Sequence, residues 1–111
     1  MANDWETLKS KSDIKALFRT GKKLYFKNLT IYFLKNSKNQ IRFLFCPDKT
    51  SPKAVQRNRV KRVLRAHIQT IDLSKVSNLD IALIAKKSFA EMNFEQRKII
   101  FNNLILKLKD E

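Results

Sequence analysis

The chain has 111 residues and a formal net charge of +14, because 24 Lys and Arg residues outnumber 10 Asp and Glu residues. Its apolar content of 43% excludes a disordered chain, and one cysteine with one histidine excludes an internal disulfide and a closed zinc site. No apolar run approaches the roughly 18 residues of a membrane helix, and the acidic N-terminus lacks a signal-peptide pattern, so we expect one cytoplasmic domain over residues 1–111 without membrane contact.

The first predicted helix begins near Ser10 and ends at Gly21. Ser10 and Asp13 have the spacing of a capping box, and Gly21 is the only glycine in the chain. The apolar stripe of this helix consists of Ile14, Leu17 and Phe18.

Two segments of alternating polarity, residues 29–34 and 41–46, are predicted to be strands. The polar residues 36–40 lie between them, so the pattern predicts a hairpin with a long turn. Cys46 stands at the end of the second segment, before Pro47, and its position favours packing over redox chemistry.

The segment from Lys53 to Arg65 carries six cations and no carboxylate over the length of one helix. At about 100° per residue, apolar side chains gather on one arc of this helix and polar side chains on the opposite arc. The apolar arc contains Val60, Val63, Leu64, His67, Ile68 and Ile71, the opposite arc contains Asn58, Arg59, Lys61, Arg62 and Arg65, and Arg57 lies at the seam. A merely solvated face would mix both signs of charge, so we interpret this face as a polyanion-binding surface.

The C-terminal part of the chain is predicted to add a strand and a helix. Residues 81–85 are almost continuously apolar, as in a strand buried on both faces. Asn93 and Gln96 cap the final helix, whose stripe consists of Ile100, Leu104 and Leu108, widened by Phe101 and Ile105. The predicted order is α-β-β-α-β-α, which is an α+β fold containing one βαβ unit.

The sequence offers no catalytic set of its own. The ten acids are scattered, and the single histidine, His67, falls in the apolar arc, where a core or boundary position is favoured. We therefore expect no catalytic residue and no metal site in the protein itself.

The basic segment resembles the bacterial ribonuclease P protein component, whose hallmark is the run R-N-R-x-K-R-x-x-R. The matching residues are Arg57, Asn58, Arg59, Lys61, Arg62 and Arg65. The resemblance extends to Phe18-x-x-Gly21, to a strand with a central Tyr32, and to the later strand that ends in two lysines. The chain departs from the family pattern at Ala66, usually Glu, and at Asp48-Lys49-Thr50 and Pro52, where the family has Ser-Lys-Lys and Gly.

This resemblance implies a single α-β-β-α-β-α sandwich, ribosomal protein S5 domain 2-like, with a left-handed βαβ crossover. It also implies a non-catalytic subunit of an enzyme that processes the 5′ end of tRNA, with the chemistry carried by the RNA subunit. The expected partners are ribonuclease P RNA and precursor tRNA, with one protein monomer per RNA. We expect no cofactor on the protein alone and Mg²⁺ in the RNA-containing holoenzyme.

The resemblance also implies two sets of site residues. The hallmark residues, together with Lys53, would contact the catalytic RNA. A cleft between the first helix and the sheet would receive the single-stranded 5′ leader, with candidates Ile14, Phe18, Tyr32, Lys49, Lys86 and Lys87. Plain core packing stays open for Phe18, whereas Tyr32 shares a strand face with Thr30 and is preferred for stacking.

Three alternatives stay open from the residues alone. A ribosomal or general RNA-binding protein would share the charge without a leader site, and a DNA-binding module would insert the basic helix in a major groove. Of the three, only a ribonuclease P subunit requires Phe18, Tyr32 and Lys86 to converge at one groove. Trp5 matches no pattern, so an anchor, a loose tail and a functional role are all open for it.

Overall fold

A computed structural model describes residues 5–111 of the chain. The elements in chain order are β1 (Trp5–Thr7), α1 (Lys11–Thr20), β2 (Lys22–Phe26), β3 (Leu29–Lys35), β4 (Ile41–Pro47), α2 (Ala54–Gln69), β5 (Leu79–Ala85), α3 (Lys87–Glu91) and α4 (Phe94–Lys109). The predicted α+β class and the six predicted elements are confirmed, and β1, β2 and α3 are additional.

The expectation about a signal peptide rests on residues 1–4, which lie outside the described residues. No helix within 5–111 is long and apolar enough to cross a membrane.

The five strands form one sheet in the order β1-β4-β5-β3-β2. The predicted hairpin between β3 and β4 is wrong, because β5 lies between them, antiparallel to β3 and parallel to β4. Apart from Ile84, every residue of β5 is buried, and a strand covered on both faces is most stable with a neighbour on each side. The antiparallel hairpin partner of β3 is β2 instead, through a tight turn in which Asn28 has a φ of 61°.

The predicted βαβ unit is confirmed, because β4 and β5 are adjacent and parallel and α2 connects them. The left-handed sense of this crossover stays a prediction. Residues of α2 and α4 pack with one face of the sheet in the larger core, which includes Phe43, Leu64 and Phe101. The other face forms a smaller core with α1, through Leu8, Leu17 and Ala82. The sheet therefore separates two unequal layers.

The predicted N-cap residues and the end of α1 at Gly21 are confirmed, although only one half of the capping box forms at α1. The Ser10 side chain accepts a hydrogen bond from the Asp13 amide at the start of α1, and Asn93 with Gln96 forms a reciprocal capping box at α4. Gly21 ends α1 in an extended conformation, and a Cβ there would lie 2.4 Å from the Leu17 carbonyl oxygen. Glycine is thus required at residue 21 by the close approach of the backbone.

Trp5 anchors the N-terminal edge of the sheet. Strand β1 pairs in parallel with β4, and Trp5 is buried. Its ring meets Phe43 edge-on at 5.6 Å and Phe45 at 5.7 Å between centroids. The anchor reading of Trp5 is therefore the one that the structure supports.

Candidate nucleic-acid interface

The polar arc of α2 is exposed along its whole length. All six cations of the Lys53–Arg65 segment face solvent, and among residues 5–111 none of them lies within ion-pair distance of a carboxylate. The apolar arc is held in the core through Val60, Leu64 and Ile68. The predicted division of this helix is confirmed up to Ile68, whereas Ile71 lies beyond the end of α2 and is half-buried. Within residues 5–111, no carboxylate pairs with the cations of its outer surface.

Three of the cations of α2 form a row along one side of the helix, and Arg59 lies on the other side. Arg57, Lys61 and Arg65 recur at every fourth position on the side toward β4, where the Arg65 guanidinium lies 5.4 Å from the Phe45 ring centroid. Arg59 lies on the opposite side, where it lines a small cavity with Lys87 and Glu91 of α3. Burial, and then the charge of Arg59, lower the pKa of Arg97. The helix therefore presents guanidinium groups toward both of its flanks.

Cys46 is half-buried in β4, the strand toward which the row of Arg57, Lys61 and Arg65 points. Burial raises the pKa of the Cys46 thiol, and the charges of Lys61 and Arg57 oppose that rise. A raised thiol pKa is the opposite of what a reactive cysteine requires. The side chain is half-buried, so its packing is less complete than in the core expected for it.

An aromatic pair lies on the other face of the sheet, where α1 meets β3. The rings of Phe18 and Tyr32 are 4.9 Å apart between centroids, with an interplanar angle of 67°. Phe18 is 38% exposed, so it is not a plain core residue, whereas Ile14 packs beside the smaller core. The structure brings Ile14, Phe18 and Tyr32 together as expected.

Two residues of β2 extend this aromatic pair. The Lys23 ammonium lies 5.1 Å from the Tyr32 ring centroid and 4.9 Å from that of Tyr25, which is 71% exposed. Sequence reasoning missed both residues, although the alternation after Gly21 was a signal for a strand. Lys23 pairs with Tyr32 in the β2–β3 register. The cluster therefore contains a cation and a second exposed ring.

An open strip of the sheet runs from Tyr32 toward Lys86. Thr30, Cys46 and Ile84 lie side by side along it, and each is half-buried because α1 does not cover this end. Lys86 is exposed, and its amide donates to the Asn28 carbonyl in the β2–β3 turn. At about 3.3 Å per residue, Lys86 lies roughly 13 Å beyond the level of Tyr32.

Lys87 and Lys49 are placed away from the aromatic pair. Lys87 pairs with Glu91 at 3.8 Å and lines a cavity of about 110 Å³ with Arg59, so its side chain turns toward α2. Lys49 is exposed in the loop between β4 and α2. Thr50 holds that loop against α3, because its hydroxyl donates to an Asp48 carboxylate oxygen at 2.5 Å and accepts from the Lys87 amide at 2.8 Å.

A buried ion-pair network positions α1 on the sheet. Arg42 in β4 forms two hydrogen bonds of 2.7 Å with the Asp80 carboxylate of β5, and both residues are buried. The Nη2 of Arg42, which is one of the two donors to Asp80, also lies 3.1 Å from the Asp13 carboxylate of α1. Asn36 donates to Asp80 at 2.8 Å. The network thereby joins α1 to the centre of the sheet.

His67 is buried against α4, as the apolar arc predicted. Its Nε2 accepts a hydrogen bond of 2.9 Å from Arg97, and burial, followed by the charge of Arg97, lowers its pKa from 6.5. Within residues 5–111, no group of three or more His, Cys, Asp or Glu side chains is arranged to hold a metal ion. The exposed cations and aromatic rings can bind anions and flat bases.

Comparisons with known proteins converge on one family. The sequence profile described as Ribonuclease P matches residues 3–109. A ribonuclease P protein component of Fusobacterium nucleatum is 37% identical over 93 residues, which cover 83% of this chain and 82% of that protein. The component from Streptococcus pneumoniae serotype 4 is 31% identical over 102 residues, covering 92% and 80%.

Solved structures share the fold. The RNase P protein from Thermotoga maritima matches with a TM-score of 0.76 and 24% identity, over 95% of this chain and 96% of that one. The RNase P protein of Staphylococcus aureus matches with a TM-score of 0.74 and 22% identity, over 93% of each chain. At these identities the structures are similar to this chain in fold.

Proposed function

The chain belongs to the bacterial ribonuclease P protein component family, and from this premise we propose that it binds two RNAs through opposite layers of its sheet. The α2 face binds the catalytic RNA, and the surface beside α1 binds the 5′ leader of precursor tRNA. The observation that carries this proposal is the presence, on one small domain, of a cationic helix that has no acidic partner within residues 5–111 and of a separate aromatic cluster with its own ammonium group. Family membership also argues against the ribosomal and DNA-binding alternatives.

The α2 surface suits the phosphates of a structured RNA. Guanidinium groups are planar donors that bind phosphate through two parallel hydrogen bonds, and the Asn58 amide adds both a donor and an acceptor. Exposed cations that pair with no carboxylate in the described part of the chain can replace counterions on the RNA, which provides a large share of the affinity. We assign to this surface the residues Lys53, Arg57, Asn58, Arg59, Lys61, Arg62 and Arg65.

The surface beside α1 suits a single strand. Phe18, Tyr32 and Tyr25 offer ring surfaces for bases, and Lys23 stands beside the two tyrosines. Stacking on aromatic side chains tolerates any base sequence, which fits leaders that differ among tRNAs. We assign Lys86 and Lys49 to leader phosphates beyond the open strip. We assign Lys87 to leader phosphates as well, on the side that faces α2.

The protein acts in this proposal as the non-catalytic subunit, with one monomer per RNA. The RNA subunit carries the reaction and its Mg²⁺ ions, and the protein contributes binding and orientation. Nucleophile activation would require a base within hydrogen-bond reach of the attacking group. His67 is unsuited to that role, because its Nε2 already accepts from Arg97 inside the core.

Reconstitution tests this proposal. The protein is combined with ribonuclease P RNA of its own organism, and cleavage of precursor tRNA is followed at low Mg²⁺ concentration. We expect the protein to raise the rate of 5′ cleavage by the RNA and to leave precursor tRNA intact when the RNA is omitted. Site-specific cleavage by rigorously RNA-free protein would contradict the non-catalytic role, and no effect on the RNA's rate would contradict the subunit role.

A further inference from the structure

A groove between the C-terminal half of α2 and α4 lies outside both surfaces described so far. It encloses a cavity of about 360 Å³, within the size range of small-ligand sites. Its lining includes His67, Phe94, Lys98, Asn102 and Lys109. These side chains combine an imidazole, a phenyl ring, an amide and two ammonium groups.

Three stacked rings form one wall of this groove. The His67 ring lies between Phe94, at 5.1 Å and 18°, and Phe101, at 4.9 Å and 11°. Phe101, at one end of the stack, is buried, whereas Phe94, at the other end, is 52% exposed. The stack therefore ends in an open aromatic ring.

Arg97 holds this stack in place. Its Nε donates to His67 Nε2 at 2.9 Å, while its Nη1 donates to the carbonyls of Ala90 and Met92 in the segment that precedes α4. The orientation of His67 is thus fixed by a side chain of α4 itself. Because Phe94 stacks on the fixed His67 ring, the stack loses little conformational entropy when another flat group stacks on Phe94.

The charge of the groove is complementary to an anion. Lys98 lies one helical turn after Phe94, and Lys109 lines the far end. The lining contains one carboxylate, Asp72, which already accepts a hydrogen bond of 2.9 Å from the Ser74 amide and lies near Lys109 and Lys75. Cations thus predominate around an exposed ring, which favours a nucleic acid over an apolar peptide.

We propose that this groove binds an unpaired nucleotide of the RNA that α2 contacts, with its base stacked on Phe94 and its phosphates beside Lys98 and Lys109. The inference rests on the proposed function, because the groove begins where the α2 surface ends. The two regions adjoin along α2, because His67 of the groove lies two residues after Arg65 of that surface. The nucleotide would then extend the RNA interface from α2 onto α4.

Two alanine variants on α4 test the inference. Phe94→Ala removes the platform. Ile99→Ala removes an apolar side chain of similar exposure, 60% against 52%, that does not line the groove. Binding to the organism's own ribonuclease P RNA is measured for both at a temperature where both are folded. We expect a loss of roughly five- to hundredfold for Phe94→Ala, none for Ile99→Ala, and retained affinity for Phe94→Tyr.

A fluorescence measurement provides a second readout. The indole introduced by Phe94→Trp should be quenched when the RNA binds, whereas the indole introduced by Ile99→Trp should not. Equal affinities for Phe94→Ala and Ile99→Ala, together with a weakened Arg62→Ala, would overturn the groove while leaving the proposed function in place. If the unaltered protein fails to bind the RNA, both proposals fall. A change in oligomeric state caused by Phe94→Ala without a change in RNA affinity would assign the groove to protein contact instead.

Discussion

Tyr32 has two different neighbours, an aromatic ring from α1 and an ammonium group from β2. The alternation of β3 correctly predicted that Tyr32 lies on the face opposite to Leu29, Ile31 and Phe33, which are buried. The same alternation carries no information about Lys23, because cross-strand neighbours depend on a pairing that lies outside the strand. Residue-level reasoning therefore found the platform but not the cation beside it.

Replacing Tyr32 tests the leader surface. In the reconstituted holoenzyme, Tyr32→Ala should weaken precursor tRNA binding by roughly five- to hundredfold, since each stacked base contributes about 1–3 kcal/mol. Mature tRNA lacks the leader, so its affinity should not change. Dissociation constants of both tRNAs measure the effect, with Tyr32→Phe as the control that keeps the ring. Equal losses for precursor and mature tRNA would make Tyr32 a purely structural residue.

His67 makes folding stability depend on pH. Its pKa is lowered from 6.5 in the folded protein by burial and by Arg97, so the unfolded chain binds more protons in the window below 6.5. The stability linked to His67 is fully present above pH 6.5 and decreases as the pH falls through that window toward the folded-state pKa. Urea unfolding at several pH values should show this decrease in the unaltered protein.

The matched comparison is His67→Gln, which keeps a hydrogen-bond acceptor and cannot titrate. It should be less stable overall, because the ring stack is lost, but its stability should change less between pH 7 and pH 5. The same pH slope in both proteins would show that other groups cause the dependence.

Strand partners are the element-scale feature that local patterns leave undetermined. The patterns identified β3, β4 and β5 correctly. Two strands that are consecutive in sequence and joined by a polar segment, however, have the same sequence pattern whether or not they pair in the sheet. The doubly buried character of β5 contained the missing information, because such a strand needs two neighbours. The turn at Asn28 was the other signal, since asparagine tolerates the positive φ of a tight hairpin.

The Arg42 network predicts unequal roles for its two acids. Asp80→Asn should lower the free energy of unfolding by about 3–5 kcal/mol, because it leaves a buried guanidinium without its charge partner. Asp13→Asn should lower the free energy of unfolding by only about 0–1 kcal/mol, since Asp13 is partly exposed and the backbone amide of residue 13 still donates to the Ser10 cap. Urea denaturation of the two variants and the unaltered protein measures both values. Similar losses would mean that the tie to α1 matters as much as the pair within the sheet.

At the scale of the whole molecule, composition predicted the sign of the charge but not where the charged and aromatic surfaces lie in the fold. The net charge of +14 predicted a polyanionic partner, and the helical periodicity predicted which arc of α2 would carry the cations. Composition could not reveal that the aromatic cluster lies in the opposite layer, because that separation follows from the strand order. The groove beside α4 was equally hidden, since its lining joins residues from two helices far apart in sequence.

Salt dependence reports on the whole RNA interface. If five or six of the α2 cations replace counterions, log K against log salt concentration should fall with a slope of roughly −4 to −5. Arg59→Ala should make that slope shallower by about 1 and leave the thermal stability unchanged. Titrations at several salt concentrations provide the slope. A slope near zero would refute polyanion binding by α2.

The position of β5 also bears on how the chain emerges during synthesis. β5 occupies the centre of the sheet but is formed by residues 79–85, so β3 and β4 are both made before the strand that joins them. Until residue 85 leaves the ribosome, each of those strands has an edge without its native partner, and such edges are prone to aggregation. The β2–β3 hairpin and the β4–α2 segment therefore remain separate until β5 is made. The two layers to which we assign RNA binding are completed together when β5 inserts between them.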